Sequence, residues 1–211
     1  MQAQSPHIVG IAGGSCAGKT WLANRLQIHF ADQAARLCLD NFYRDQSHLP
    51  PARRARINFD RPQAIDWDAV EQVLSEFCRG HTVPVPRYNF ATHGRQGDES
   101  FLHPVPMLIV EGLWLFRRPA IRKFFDLKVY IRSTTELCTQ RRLQRDISER
   151  GRTHQQIVEQ LERHTLPMFE RFVAPQEKWA DVILNAPVTD DEVLKLMNKI
   201  QAASASLSVG I

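Results

Sequence analysis

Residues 13–20 read GGSCAGKT, which satisfies G-x-x-x-x-G-K-[ST]. Glycines at these places let a backbone curl until its N–H groups converge on an anion. The apolar run HIVGIA (7–12) precedes the loop and reads as a buried strand. GKTWLANRLQIHF follows and reads as a helix, with Leu22, Leu26 and Phe30 on one stripe. A strand, a glycine turn and a helix in that order leave a chain few folds. The helix packs back over its strand, and its positive N-terminal end adds to the anion cradle. Lys19 then reaches the β- and γ-phosphates of a nucleotide, and the Thr20 hydroxyl can hold Mg²⁺. Gly13, Gly14, Ser15, Cys16, Ala17, Gly18, Lys19 and Thr20 are the candidate residues for binding ATP or GTP.

The alternation continues along the chain. RLCLD (36–40), PMLIVEG (106–112), DLKVYI (126–131) and ADVILN (180–185) read as further strands. DWDAVEQVLSEFCRG (66–80) opens on an acid and closes on a glycine, as a helix does. PAIRKFF (119–125) predicts a short helix, residues 134–150 an arginine-rich one with a second from Thr153, and residues 190–203 a closing one. The whole predicts an α/β fold: a doubly wound parallel sheet of P-loop NTPase type with helices on both faces. Residues 83–103 predict a small β-hairpin insertion with THGRQGD (92–98) as its turn, and residues 41–65 a long irregular connection. A single domain over residues 1–211 is expected.

Composition narrows the partners. The net charge of +4 is a mild basic excess that suits anionic ligands as well as nucleic acid. No RNA-binding signature accompanies it, so a nucleic-acid partner is not expected. The longest apolar runs are strand-sized and the first residues lack a basic, apolar leader, which predicts no membrane partner. Cys16, Cys38, Cys78 and Cys138 lie far apart with no C-x-x-C pair, as reduced cytoplasmic thiols do. The histidines are scattered, without the paired spacing of a transition-metal site.

Two acids stand at predicted strand ends, Asp40 in CLDNFY and Glu111 in LIVEG. Each could cap the helix that follows. With a phosphate loop on the same sheet edge, Mg²⁺ needs oxygen ligands there and an alcohol acceptor needs a base. RRLQRDISERGR (141–152) puts Arg142 and Arg145 on one helix face and Arg150 and Arg152 around Gly151. These could be a solvated face, an RNA contact, or a lid hinged at the glycine whose guanidiniums stabilise a transferring phosphoryl group.

The segment VPVPRYNFATHGR (83–95) is the least expected part of a phosphate-handling chain. On an extended strand Tyr88 and Phe90 share a face while Asn89 points away. The pair could be core packing. An aromatic wall with His93 beside it also suits a heterocyclic base, stacked on its face and hydrogen-bonded at its edge. Asp60 in NFDRPQAID could accept from a sugar's vicinal hydroxyls, or cap the next helix. A nucleoside acceptor would account for the insertion, the acid and the lid together.

Taken in order, GGSCAGKT, LDNFYR, NFDRPQAID, VPRYNFATHGR, VEG, RDISERGR and ADVIL resemble the uridine kinase family, relatives of phosphoribulokinase, from about His7 to Asn185. The resemblance implies ATP-dependent phosphorylation of the 5′-hydroxyl of uridine or cytidine in a cytoplasmic homo-oligomer, commonly a tetramer. It makes Asp40 the catalytic base, also close to the metal. Lys19 and Thr20 become the phosphate and Mg²⁺ contacts, and Glu111 a second acid at Mg²⁺. Asp60 becomes the ribose acid, and Tyr88, Phe90 and His93 the pyrimidine pocket. Arg142 and Gln160 fall to the nucleoside, Arg145 and Arg150 to catalysis, and Arg152 to ATP. Residues 83–103 are then the nucleoside-binding hairpin and 134–165 the lid region. Three places depart from the family pattern: Asn89 stands for a usual Asp, Cys16 and Ala17 for a smaller Gly/Ser pair, and Arg61 for a usual His. A kinase for another small alcohol (nicotinamide riboside, pantothenate, ribulose 5-phosphate) is the alternative enzyme. A nucleotide-gated binding protein is the alternative of another class, although NKIQ (198–201) lacks the acid of a guanine-reading N-K-x-D.

Overall fold

The computed structural model describes residues 5–54, 57–90 and 92–208. The chain runs β1 (His7–Gly13), α1 (Lys19–Phe30), β2 (Ala34–Cys38), α2 (Pro51–Arg54), α3 (Trp67–Cys78), β3 (Val83–Asn89) and β4 (Gly94–Leu102). It continues through β5 (Met107–Gly112), α4 (Pro119–Arg122), β6 (Leu127–Arg132), α5 (Thr135–Arg150), α6 (His154–Gln160), α7 (Leu166–Met168), β7 (Val182–Asn185) and α8 (Asp190–Ser208). Strands β2-β5-β1-β6-β7 form one parallel sheet in that spatial order.

Alternate residues of β1 serve opposite layers. Val9 and Ile11 pack with Leu22 and Leu26 of α1 and with Leu196 and Ile200 of α8. Ile8 points the other way, into a cluster with Phe42, Trp67, Phe77 and Trp114. Helices therefore cover both faces, as the alternation requires, and each buried Leu or Ile stabilises the fold by about 1.5–3 kcal/mol. Because β5 inserts between β1 and β2, Glu111 lies in register with both Ile11 and Cys38. The loop after β1 thus faces the carboxyl ends of its neighbours, where sheets of this type bind ligands.

Helix ends follow the sequence. Asp66 accepts from the Ala69 amide at the start of α3, and Thr134 from the Leu137 amide at the start of α5. Thr153 and Gln156 form a reciprocal capping box on α6. Gly151 ends α5 at φ 61°, in the left-handed region, with nothing within 4 Å of a Cβ placed there. Beyond α6 the helical path loosens into π turns at Leu161–Thr165 and Phe169–Val173. Such turns occur often at functional sites.

Two expectations change. β2 ends at Cys38, so Asp40 lies in a 3₁₀ turn, Leu39–Phe42, rather than closing the strand. The cause is close approach: Leu39 packs onto Gly112, where any Cβ would overlap it, and the chain leaves the sheet there. The hairpin turn also comes earlier than THGRQGD. β3 ends at Asn89 and β4 begins at Gly94. His93 (φ 52°) takes the left-handed position, and Asn89 Oδ1 accepts from the Thr92 amide. Phe90 therefore sits in the turn and not on the strand.

Candidate functional site

The loop between β1 and α1 borders a cavity of about 570 Å³. Its backbone visits left-handed conformations at Cys16 (φ 62°) and Gly18 (φ 108°), the alternation that turns successive amides inward. A side chain at such a position costs about 1–2 kcal/mol, which Cys16 bears. The Lys19 ammonium is buried and donates to the Gly14 carbonyl at 2.6 Å. Arg141 donates to the Cys16 carbonyl at 3.3 Å and braces the loop from α5.

Thr20 Oγ1 donates to Glu111 Oε1 at 2.9 Å, which joins the first turn of α1 to the end of β5. Arg36 lies 3.9 Å from the same oxygen. Asp40 lines the cavity with Glu111 and Thr20. A hydroxyl and two carboxylates are the hard oxygen donors that fit Mg²⁺, which takes few protein ligands and completes its shell with water and phosphate. No group of three or more His, Cys, Asp or Glu that could hold a metal occurs among the described residues. Burial first, then the Asp40 and Glu111 carboxylates, push the Cys38 thiol well above its ordinary pKa. Cys38 therefore stays neutral beside these two carboxylates.

A second cavity, of about 80 Å³, opens on the other side of Asp40. The His93 ring stacks on Phe59 at 4.2 Å and 6°, and Tyr88 meets Phe90 edge-on at 5.2 Å. Tyr43 touches Tyr88, Phe59 and Phe90 and so ties the three strands of chain into one aromatic wall. The Tyr88 hydroxyl and His93 Nδ1 are 3.4 Å apart. Burial, with a smaller push from Asp45, raises Tyr88 to about 12, so its phenol keeps its proton at neutral pH. Opposite the wall, Asp60 Oδ2 accepts from Thr165 Oγ1 at 3.1 Å and Gln160 Nε2 at 3.5 Å. Asp66, not Asp60, caps α3.

The arginines converge on one acid. Asp146 is fully buried, with Arg145 Nε at 2.9 Å, Arg152 Nη1 at 3.2 Å and Arg142 Nε at 3.7 Å. Arg152 also donates to Gln160 Oε1 at 2.6 Å. Burial works against the charge on Arg145, yet the negative charge that Cys16 can carry, the Asp146 carboxylate with its hydrogen bond, and Asp40 outweigh it and raise its pKa. Arg145 lines both cavities and Arg142 only the second. Arg152, expected beside ATP, lines the second cavity instead, because its bonds to Asp146 and Gln160 turn it there. The Arg150 side chain lies outside the described residues.

The structure thus brings Asp40, Asp60, Tyr88, Phe90, His93, Arg142, Arg145, Arg152 and Gln160 around one cavity. Sequence reasoning overlooked Tyr43, Phe59, Thr165 and the hub role of Asp146. Tyr43 and Phe59 lie within the quoted motifs LDNFYR and NFDRPQAID, and Asp146 stands four residues after Arg142, a helical pairing distance. Thr165 had no local signal, since a π turn aims it.

A parallel sheet with a phosphate loop after its central strand, and beside it an acid near the end of β5 and another in the turn after β2, has the build of a P-loop kinase. Matching of family models agrees: the phosphoribulokinase / uridine kinase family matches residues 8–192. The chain belongs to that family. It is 38% identical to a uridine kinase of Chloroflexus aggregans over 97% of this chain and 99% of that one. It is 40% identical to a uridine kinase of Chloroflexus aurantiacus over 84% and 86%. A solved phosphoribulokinase from Rhodobacter spheroides shares the fold at a TM-score of 0.67 and 17% identity, over 87% of this chain and 71% of that one.

Proposed function

We propose that the protein transfers the γ-phosphoryl group of ATP to the 5′-hydroxyl of a pyrimidine nucleoside, uridine or cytidine. One observation carries the reading: the phosphate-loop cavity and the aromatic cavity share Ser15, Asp40, Leu113 and Arg145. A donor in one and an acceptor in the other meet at Asp40. Relatives that match nearly the whole chain are uridine kinases, which supports the choice of acceptor.

In this reading Asp40 takes the proton of the attacking hydroxyl. The nucleoside oxygen bonds to the γ-phosphorus, the bond from that phosphorus to the β–γ bridging oxygen breaks, and ADP leaves. The loop amides and Lys19 hold the β- and γ-phosphates. Thr20, Glu111 and Asp40 would hold Mg²⁺, which when bound neutralises charge on the phosphate oxygens. Arg145 faces the junction and stabilises the transferring group, and Arg142 and Arg152 complete a lid over residues 134–165 that hinges at Gly151. Asp60 accepts from the ribose hydroxyls, exchanging its bonds with Gln160 and Thr165 for bonds to the sugar. Tyr88, Phe90, Phe59 and His93 frame the base, within the hairpin of residues 83–103. Water kept out of the closed cleft limits idle ATP hydrolysis.

The same reading puts the protein in the cytoplasm, where its four free cysteines stay reduced. It also makes it a homo-oligomer; Phe101, 62% exposed on β4, is an apolar surface for such a contact. Among the described residues no helix is long and apolar enough to cross a membrane. The deciding experiment is ADP release across a panel of nucleosides and other small alcohols, with and without Mg²⁺. Release that depends on uridine or cytidine and on Mg²⁺ is expected. Release driven best by a non-nucleoside alcohol, or independent of any acceptor, would overturn the reading.

A further inference from the structure

Trp21 is 44% exposed, whereas Trp67 and Trp114 are buried to 5% and 1%. The core stripe of α1 is Leu22, Ala23 and Leu26, so packing does not call for an indole at this place. The ring lines the phosphate-loop cavity together with Pro187 and Val188. That cavity has two ends. The end shared with the aromatic cavity must hold the γ-phosphate, because transfer needs donor and acceptor in contact. A triphosphate is a linear chain, so its α-phosphate and nucleoside leave toward the opposite end. Trp21, Pro187 and Val188 line the phosphate-loop cavity and none of them lines the aromatic cavity, which sets them apart from the shared residues Ser15, Asp40, Leu113 and Arg145.

The indole is also held in place. The Arg25 guanidinium sits 5.5 Å from the Trp21 ring centroid, and Arg25 Nη2 donates to Asp190 Oδ1 at 2.6 Å. Asp190 opens α8, two residues after Val188. The ring is thereby tethered from α1 to the very segment that forms the rest of the wall. Pro187 and Val188 offer no side-chain donor or acceptor, so beside the indole they present apolar surface.

We propose that Trp21 is the platform on which the nucleobase of the phosphate donor stacks, with Pro187 and Val188 beside it. The proposal deepens the kinase reading and rests on it. Base–aromatic stacking is tolerant of base identity, because every base has a π face. Losing it weakens binding by about ten- to a hundredfold.

Calorimetric titration with ATP and with inorganic tripolyphosphate, for the wild type, Trp21→Ala and Trp21→Phe, tests it. Trp21→Ala should weaken ATP by at least about tenfold and leave tripolyphosphate within about twofold. Trp21→Phe should recover most of the ATP affinity. Unchanged ATP affinity in Trp21→Ala, or an equal loss for tripolyphosphate, would overturn the platform while leaving the kinase reading intact. A wild type that binds neither ligand would overturn the phosphate site itself, and the platform with it.

Discussion

The two halves of the cleft are built by different means. The phosphate cradle of the donor half is one unbroken stretch, residues 14–20, of loop backbone and one lysine bonded to its own loop, with Trp21, Glu111, Arg141, Pro187 and Val188 around it. The acceptor half is assembled by side chains from separated segments: Tyr43, Phe59 and Asp60, Tyr88 with Phe90 and His93, the α5 arginines, and Gln160 with Thr165. Backbone amides hold any polyphosphate, whereas convergent side chains choose one acceptor. Polyphosphate binding in the first half should therefore tolerate substitutions at its borders, and the second half should translate each change into acceptor affinity.

Asp40 belongs to both cavities and gives the largest expected effect. Asp40→Asn keeps the shape of the side chain and removes its basicity. We expect kcat to fall by about a thousandfold, within the usual range for losing a general base, with ATP affinity within about threefold of wild type. A variant retaining more than a tenth of the wild-type kcat would break the comparison at its junction, since Asp40 would then not be the base that joins the two halves.

Asp146 tests whether the acceptor half has a framework of its own. Its buried carboxylate gathers Arg142, Arg145 and Arg152. Removing one partner of such a buried cluster leaves charge uncompensated, at a cost of about 3–5 kcal/mol. Asp146→Asn should lower the unfolding free energy by roughly that amount and raise the nucleoside KM. Because the loop amides do not depend on Asp146, tripolyphosphate affinity should hold. Equal loss of phosphate and nucleoside binding would show that the arginine cluster supports the whole cleft and that the halves are not separable. Asp146→Glu, which keeps the charge, should recover more stability than Asp146→Asn.

His93→Ala removes the ring stacked on Phe59 and the neighbour of the Tyr88 hydroxyl. The nucleoside KM should rise by about tenfold, equal to about 1.4 kcal/mol, while the ATP KM stays within about twofold. A parallel rise in both constants would remove His93 from the acceptor half.

This difference in construction also explains what was legible beforehand. The phosphate loop could be read because one contiguous spacing encodes its backbone path, and the sheet because apolar runs alternate with helical stripes. The place of Asp40 was misread by one structural step. A strand's end depends on the Leu39–Gly112 contact, which joins residues far apart in the chain. That Arg152 borders the second cavity could not be read either, for a similar reason. Its direction is set by Asp146 and Gln160, and a helix-face argument cannot see which partner wins. Thr165 reaches Asp60 through a π turn across 105 residues, a path with no local spacing to betray it.

The smallest effect is expected at Asn89, one residue from the aromatic wall and yet not part of its cavity lining. Strand alternation turns it away from the face that carries Tyr88, and its Oδ1 accepts from the Thr92 amide, so it shapes the turn. A carboxylate can accept that same bond and would strengthen it, because an ionised acceptor bonds an amide more tightly. Asn89→Asp should therefore preserve the turn and change the nucleoside KM by less than about twofold, close to the limit of what exposed polar changes do. The variant is informative because the family pattern places an acid here. If the acid touched the nucleoside, restoring it would shift the acceptor KM several-fold and leave the ATP KM alone. That result would move the boundary of the acceptor half outward to include the hairpin turn itself. An unchanged KM would fix that boundary at the rings of Tyr88, Phe90 and His93 and leave Asn89 a residue of the turn's backbone geometry.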